Sequence, residues 1–149
     1  MIHMGAINLI LYKIYSANLK HLEIEEGFFE GWPNPPSIEK HRQILANSYK
    51  AIVAIDGRNH KIIGFINAIS DGILSAYIPL LEVLPQYQKQ GIGSGLVRRI
   101  LEELDGFYMI DLSCDKELQS FYEKLGMIKS HGMVYRNYKY QCGKNILNK

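Results

Sequence analysis

The chain has 149 residues, 47% of them apolar and 21% charged, which describes an ordinary globule long enough to bury one core without a metal or disulfides. The 17 Lys and Arg nearly cancel the 15 Asp and Glu, and no basic run exceeds Arg98-Arg99, so nucleic acid is not an expected partner. Two cysteines without paired spacing, Cys114 and Cys142, argue against a disulfide framework and a zinc site and point to a reducing, cytoplasmic compartment.

The amino-terminal "MIHMGAINLILYKIY" is apolar, but Lys13 interrupts it and it has neither a basic leader nor a small-residue cleavage site. It reads as a first strand, Ile7 to Tyr15, and not as a signal peptide or a membrane span. A helix is predicted from Asn18 to Phe29, broken at Gly31. Three prolines between Pro33 and Pro36 then force a rigid loop from Gly31 to Ser37. Ser37 can cap a second helix that ends near Ser48. Ala51 to Ile55 and Ile62 to Ile69 read as strands joined by a hairpin at Asp56-Gly57. After a second turn at Asp71-Gly72, Ile73 to Leu84 forms a long strand. Its Pro79 cannot donate to a ladder, so a bulge or a break in pairing is expected there.

Ile92, Leu96, Val97, Ile100, Leu101 and Leu104 recur at helical spacing up to Gly106. Phe107 to Leu112 is a short strand. Asp115 opens a further helix with the stripe Leu118, Phe121, Tyr122 and Leu125, stopped by Gly126. Two closing strands, Met127 to Ser130 and Met133 to Tyr140, turn at His131-Gly132, and a polar tail from Gln141 to Lys149 follows a single domain that spans residues 1–140. Strand, helix and strand in the middle of this order form a crossover, and ligands bind at the carboxyl ends of such strands.

That position is occupied by "LPQYQKQGIGSGLV". A nucleoside-triphosphate loop needs Lys and then Ser or Thr after its last glycine, whereas Leu96 follows Gly95; the dinucleotide fingerprint fails at Leu96 and at Arg98. What remains is Gln88-x-x-Gly91-x-Gly93. Successive amides from Lys89 to Ser94 can converge there on a pyrophosphate beside the positive end of the next helix. A tight turn with no ligand is the plainer reading of the two glycines alone.

A second motif, "FYEKLGM", follows some thirty residues later, and the two in this order resemble the GNAT superfamily of N-acetyltransferases. The resemblance is specific from Ala51 to Met127. It implies a mixed α/β (α+β) fold: a mostly antiparallel sheet of about seven strands, helices on both faces and a splayed central parallel pair. It also implies acetyl-coenzyme A as co-substrate, with Lys89, Gln90, Gly91, Ile92, Gly93 and Ser94 as the pyrophosphate cradle and Gln88 shaping its mouth. Leu81, Val83 and Leu84 would pair through backbone with the pantetheine arm, and an amide near the Pro79 bulge would polarise the thioester carbonyl.

By the same resemblance Tyr122 is the general acid for the departing thiolate; by spacing alone it continues an apolar stripe. Asp115 stands at a cofactor-contacting position or is a plain helix cap. Glu82 is the candidate base for the amine, and strand alternation turns it away from Leu81 and Val83, toward either the acceptor cleft or solvent. His21, His41, His60 and His131 read as surface histidines, and Cys114 as a buried structural thiol. Phe28, Phe29 and Trp32, with Tyr135 and Tyr138, would make an aromatic acceptor wall suited to a flat amine or an aliphatic ammonium, or else belong to the core. The expected activity is direct acetyl transfer to a small-molecule or peptide amine. A coenzyme-A-binding sensor without turnover is the alternative, no membrane partner is expected, and a homodimer is open to the closing strands.

Overall fold

The structure is a computed structural model and describes residues 9–145. Five strands lie in chain order across one sheet: β1 (Ile10–Ile14), β2 (Lys50–Asp56), β3 (Lys61–Ser70), β4 (Ser75–Val83) and β5 (Met109–Asp111). The first four are antiparallel neighbours, and β5 runs parallel to β4. Three α-helices accompany them among the described residues: α1 (Ile38–Asn47), α2 (Ile92–Glu103) and α3 (Gln119–Glu123).

Both faces of the central strands are buried, which is why β2 and β3 read as nearly continuous apolar runs. Alternation divides them. Ile52 and Ala54 pack with Leu96, Val97 and Ile100 of α2, while Ala51, Val53 and Ile55 face Leu45 of α1 and Phe29. Gly95 lets α2 lie close to β1: a β-carbon there would stand 2.5 Å from the Tyr12 hydroxyl, and Arg99 stacks 3.7 Å over the same ring.

The Pro79 expectation holds. Asn67 pairs with Leu80 and Ile69 with Tyr77, so Ile78 and Pro79 together oppose Ala68 alone, which is a bulge in β4. Beyond it the parallel pair parts. β5 is paired with β4 only from Ser75 to Tyr77, and Ile78 to Val83 continue without a strand on that side.

Two expectations are corrected. Asn18 to Phe29 is not a helix: a single 3₁₀ turn covers Ala17–Leu19, and the chain then extends so that Ile24 bridges Ile62 in parallel. Leu84 marks where β4 leaves β3, and Ile24 fills the vacated place, almost wholly buried. Burial against the sheet outweighs the modest helical preference of this stretch. Among the described residues the sheet has five strands and not seven, because Met127 to Ser130 and Met133 to Tyr140 enter no ladder. The start of the polar tail is bonded to the rest of the chain. Lys40 Nζ donates to the Gly143 and Lys144 carbonyls at 3.1 and 3.0 Å, and the Asn34 amide donates to Gln141 Oε1 at 2.8 Å. The predicted start of the first strand at Ile7 and the end of the tail lie outside the described residues.

Candidate active site

Where β4 and β5 part, a cavity of about 530 Å³ opens between β4 and α3 and beneath the amino end of α2. It is of the size that encloses ligands of a few dozen atoms. Of the residues singled out in the sequence, Leu81, Val83, Gln88, Lys89, Gly91, Ile92, Gly93, Ser94 and Tyr122 line it.

The glycine loop has the backbone form an anion needs. Gly91 is the amino-terminal cap of α2 at φ 80°, a conformation that side chains disfavour, and nothing lies within 4 Å of where its β-carbon would stand. Lys89 is left-handed as well, at φ 62°. No side chain caps α2 and its first turn carries no acid, so the amides of Ile92, Gly93 and Ser94 and the positive helix end face the cavity without a competing carboxylate. The first intrahelical bond runs from the Gly95 amide to the Gly91 carbonyl at 3.0 Å. A pyrophosphate therefore fits this loop through bare backbone.

The loop is also braced. Gln88 Nε2 donates to the Val83 carbonyl at 2.9 Å, tying the mouth of the loop to β4. Tyr87, which sequence reasoning passed over, lines the cavity and donates its hydroxyl to Asp56 Oδ2 at 2.7 Å. Asp56 is buried and also accepts from the Arg58 amide and guanidinium. Those bonds hold its carboxyl well below the usual range. The signal was present in the hairpin Asp56-Gly57-Arg58, but it served there only as a turn marker.

Tyr122 is buried against the far wall, its ring edge-on to Phe121 at 4.9 Å. The Leu125 and Met127 amides both donate to its carbonyl, at 3.0 and 3.2 Å, which fixes its backbone at the end of α3. Burial first, and then the Cys114 sulfur, push its phenol up to about 12. Cys114 is itself half-buried and packed on the core, with its thiol raised by burial and by Asp115.

Several expected cofactor contacts fall elsewhere. Leu84 is a core side chain, and its amide donates to the Ile63 carbonyl at 3.0 Å, so it has no donor left for a ligand arm. Asp115 is exposed and lies off the cavity; its carbonyl, not its carboxylate, accepts the Leu118 amide. Gln90 belongs to the loop but does not line the cavity. Leu118 and Phe121, taken from the sequence as helix stripe, do.

Glu82 occupies the opposite face of β4, and that face belongs to a different environment. Its Oε1 accepts the Phe29 amide at 2.8 Å, while Oε2 is buried without a hydrogen-bond partner, and burial raises the carboxyl. Phe65, its cross-strand neighbour, packs with Phe28, Phe29 and His41 in one aromatic cluster. Phe28, Phe29 and His41 in turn line a smaller cavity of about 220 Å³ between residues 24–29 and the start of α1. Trp32 stacks on Phe29 at 5.0 Å but lies outside this lining. Tyr135 and Tyr138 are exposed and line neither cavity.

His41 corrects the surface reading. It is 2% exposed, with its ring 4.4 Å from that of Phe65 and its Nε2 unpartnered. Burial, reinforced by the charge of Arg42, lowers its pKa to about 4 and keeps it neutral. Its polar neighbours on α1 concealed it, because two of the rings that bury it, Phe28 and Phe29, come from a segment predicted as helix.

Residues 17–127 match the Acetyltransferase (GNAT) family. Among solved structures, one from Deinococcus radiodurans assigned as an acetyltransferase is 41% identical, with a TM-score of 0.85 over 97% of this chain and 99% of that one. A GNAT family acetyltransferase from Streptococcus pneumoniae is 28% identical, with a TM-score of 0.66 over 87% and 98%. Among curated sequences, the uncharacterised N-acetyltransferase ycf52 of Pyropia yezoensis is 32% identical over 80% of this chain and 71% of its own length. The histone acetyltransferase TAP1 of Glycine max is 31% identical over 64% of this chain and 46% of its own length, so the chain spans about half of that longer relative. Matches of that extent leave one conclusion: the chain belongs to the GNAT family of N-acetyltransferases, whose members take the acetyl group from acetyl-coenzyme A.

Proposed function

We propose that this chain binds acetyl-coenzyme A in the 530 Å³ cavity and transfers the acetyl group directly to an amine approaching from the Glu82 face of β4. The observation that carries the reading is the parting of β4 from β5 beside an uncapped, glycine-bearing helix terminus. The amides of Gly91 to Ser94 receive the pyrophosphate. The unpaired edge of β4 at Leu81 and Val83 receives the amide-bearing pantetheine arm as a strand would, and an amide adjoining the Ile78–Pro79 bulge meets the carbonyl oxygen as charge grows on it.

On the other face, Phe28 and Phe29 wall the acceptor side, and Glu82 Oε2 takes a proton from the amine nitrogen as that nitrogen bonds to the thioester carbon. Its burial favours proton uptake, because the carboxyl's affinity is already raised. The neutral His41 imidazole leaves the cluster without a cationic competitor to the incoming ammonium. When the carbon–sulfur bond breaks, the Tyr122 hydroxyl donates a hydrogen bond to the departing sulfur. Among the described residues no helix is long and apolar enough to cross a membrane.

The test is the thermal midpoint with and without acetyl-coenzyme A, followed by thiol release over a panel of amines. Ligand at a hundredfold its dissociation constant adds about 2.7 kcal/mol, which is roughly 5 to 10 °C for a domain of this size. Gly93→Val places methyl groups toward Phe121, whose ring is already 3.6 Å from the position of a β-carbon, and should abolish the shift. A shift without thiol release toward any amine would favour the sensor reading. A folded wild type with no shift would refute the coenzyme A site.

A further inference from the structure

Among the described residues three buried side-chain atoms have no hydrogen-bond partner: Glu82 Oε2, His41 Nε2 and Asn67 Oδ1. Asn67 belongs to the far end of α1, where its side-chain amide donates to Ser48 Oγ at 3.1 Å. The other two flank one dipeptide. Glu82 Oε1 accepts the Phe29 amide at 2.8 Å, and the His41 ring lies edge-on to Phe28 and Phe29 at 5.0 and 5.2 Å. A buried polar atom without a partner is costly, and a ligand that brings a donor to each of these would satisfy both.

The cavity of about 220 Å³ that His41 lines has the character such a ligand needs. At about 30 Å³ for each water-sized atom it has room for about seven non-hydrogen atoms. Ile24, Phe28 and Phe29 give it apolar walls, and Glu25 and Glu26 are the only charged side chains among its lining residues. Glu25 is paired with Lys61 at 3.4 Å, whereas the Glu26 carboxylate has no partner among the described residues. The cations beside His41 on α1 are engaged elsewhere: Lys40 donates to the Gly143 and Lys144 carbonyls and Arg42 to the Lys20 carbonyl. A ligand carboxylate or phosphate would therefore meet negative charge and no free cation. An ammonium meets aromatic rings, a carboxylate and a neutral imidazole.

We propose, on the reading of the Glu82 face as the acceptor side, that this cavity takes the second nitrogen of a short aliphatic diamine. Its ammonium donates to His41 Nε2 while the reacting nitrogen lies at Glu82 Oε2. An N–H arriving at the ring selects the tautomer in which Nε2 accepts. His41 then determines specificity: it favours amines with a remote second donor, and the surrounding charge rejects those with a remote acid.

The test compares three amines of one length, 1,4-diaminobutane, 1-aminobutane and 4-aminobutanoate, by thiol release from acetyl-coenzyme A. The KM of the diamine should lie about tenfold to a hundredfold below that of the monoamine, the effect of one hydrogen bond to a charged group, and that of the amino acid above both. His41→Leu keeps the bulk and should bring the ratio of the first two KM values to about one. A loss of packing alone would move both values and keep their ratio. The acetyl-coenzyme A thermal shift checks that the variant folds. Calorimetric titration of 1,4-diaminobutane into the wild type, with coenzyme A present and no thioester, reads the subsite without turnover and without a variant. Diamine binding that 1-aminobutane does not match supports the subsite even where no amine releases thiol, a result that would refute acetyl transfer alone. Thiol release with equal KM values for the three amines would overturn the subsite and leave acetyl transfer standing. A diamine preference that survives His41→Leu, or no diamine binding in the titration, would overturn it as well.

Discussion

His41 makes stability depend on pH in a direction that can be worked out beforehand. Its imidazole is buried among Phe28, Phe29 and Phe65, and its pKa falls from 6.5 to about 4. Between those values the unfolded chain binds a proton that the folded chain refuses, so stability rises with pH across that window and is level above it. The slope is about 1.4 kcal/mol per pH unit, and the whole window is worth about 3 kcal/mol. Urea unfolding followed by Trp32, the sole tryptophan and a neighbour of Phe29, measures it from pH 4.5 to 8. His41→Leu keeps the bulk, removes the unpartnered Nε2 and should flatten the curve, so that wild type and variant diverge steadily below pH 6.5. The carboxylates common to both chains cancel in that difference. Parallel curves would refute the argument. A slope of opposite sign would mean that His41 is held protonated in the folded chain.

Tyr122→Phe should lower turnover about tenfold with acetyl-coenzyme A binding unchanged, measured by thiol release. A phenol near 12 cannot pass its proton fully to a thiolate of ordinary pKa near 8.5, so the loss is that of one hydrogen bond, about 1.4 kcal/mol. A thousandfold fall would show full proton transfer instead, and no fall would remove Tyr122 from the chemistry. Tyr87→Phe deprives the buried Asp56 carboxylate of one donor and should lower stability by about 1.5 to 3 kcal/mol at pH 7, read by urea unfolding. Because the unfolded chain is common to both proteins, that deficit should hold through the ordinary carboxylate range and shrink only at more acid pH, where the folded Asp56 takes up its proton. Gly91→Ala forces a left-handed alanine into open space, which costs about 1 to 2 kcal/mol without a clash, and should weaken acetyl-coenzyme A binding in a calorimetric titration. Unchanged affinity would show that the loop's shape does not matter to the ligand.

What could be read from the sequence was what is local. The apolar spacing from Ile92 to Leu104, the Ser37 cap, whose Oγ accepts the Lys40 amide, and the consequence of Pro79 all depend on neighbours within a turn or a strand pair. The loop's place followed from them, since a helix start and a strand end fix where a loop must lie; its reading as a pyrophosphate cradle came with the family resemblance. Residues 18–29 escaped because their conformation is decided by Ile62, some forty positions away, and the burial of His41 went unseen with them. Leu84 shows a subtler limit. Motif position assigned it to the ligand, whereas its amide is still bonded to Ile63 of β3 and its side chain lies in the core. The closing strands were expected from the same kind of pattern, yet Met127 to Ser130 and Met133 to Tyr140 form no strand.

Adjacent residues of β4 look in opposite directions: Leu81 and Val83 into the large cavity, Glu82 toward the aromatic cluster. A substitution on one side therefore leaves the other nearly untouched. On the proposed function, such a strand would let descendants exchange one acceptor for another over evolutionary time, by changing Phe28, Phe29 or the loop that carries them, while inheriting the coenzyme site intact. Divergence would be fast on the Glu82 side and slow on the glycine side, within a single element nine residues long.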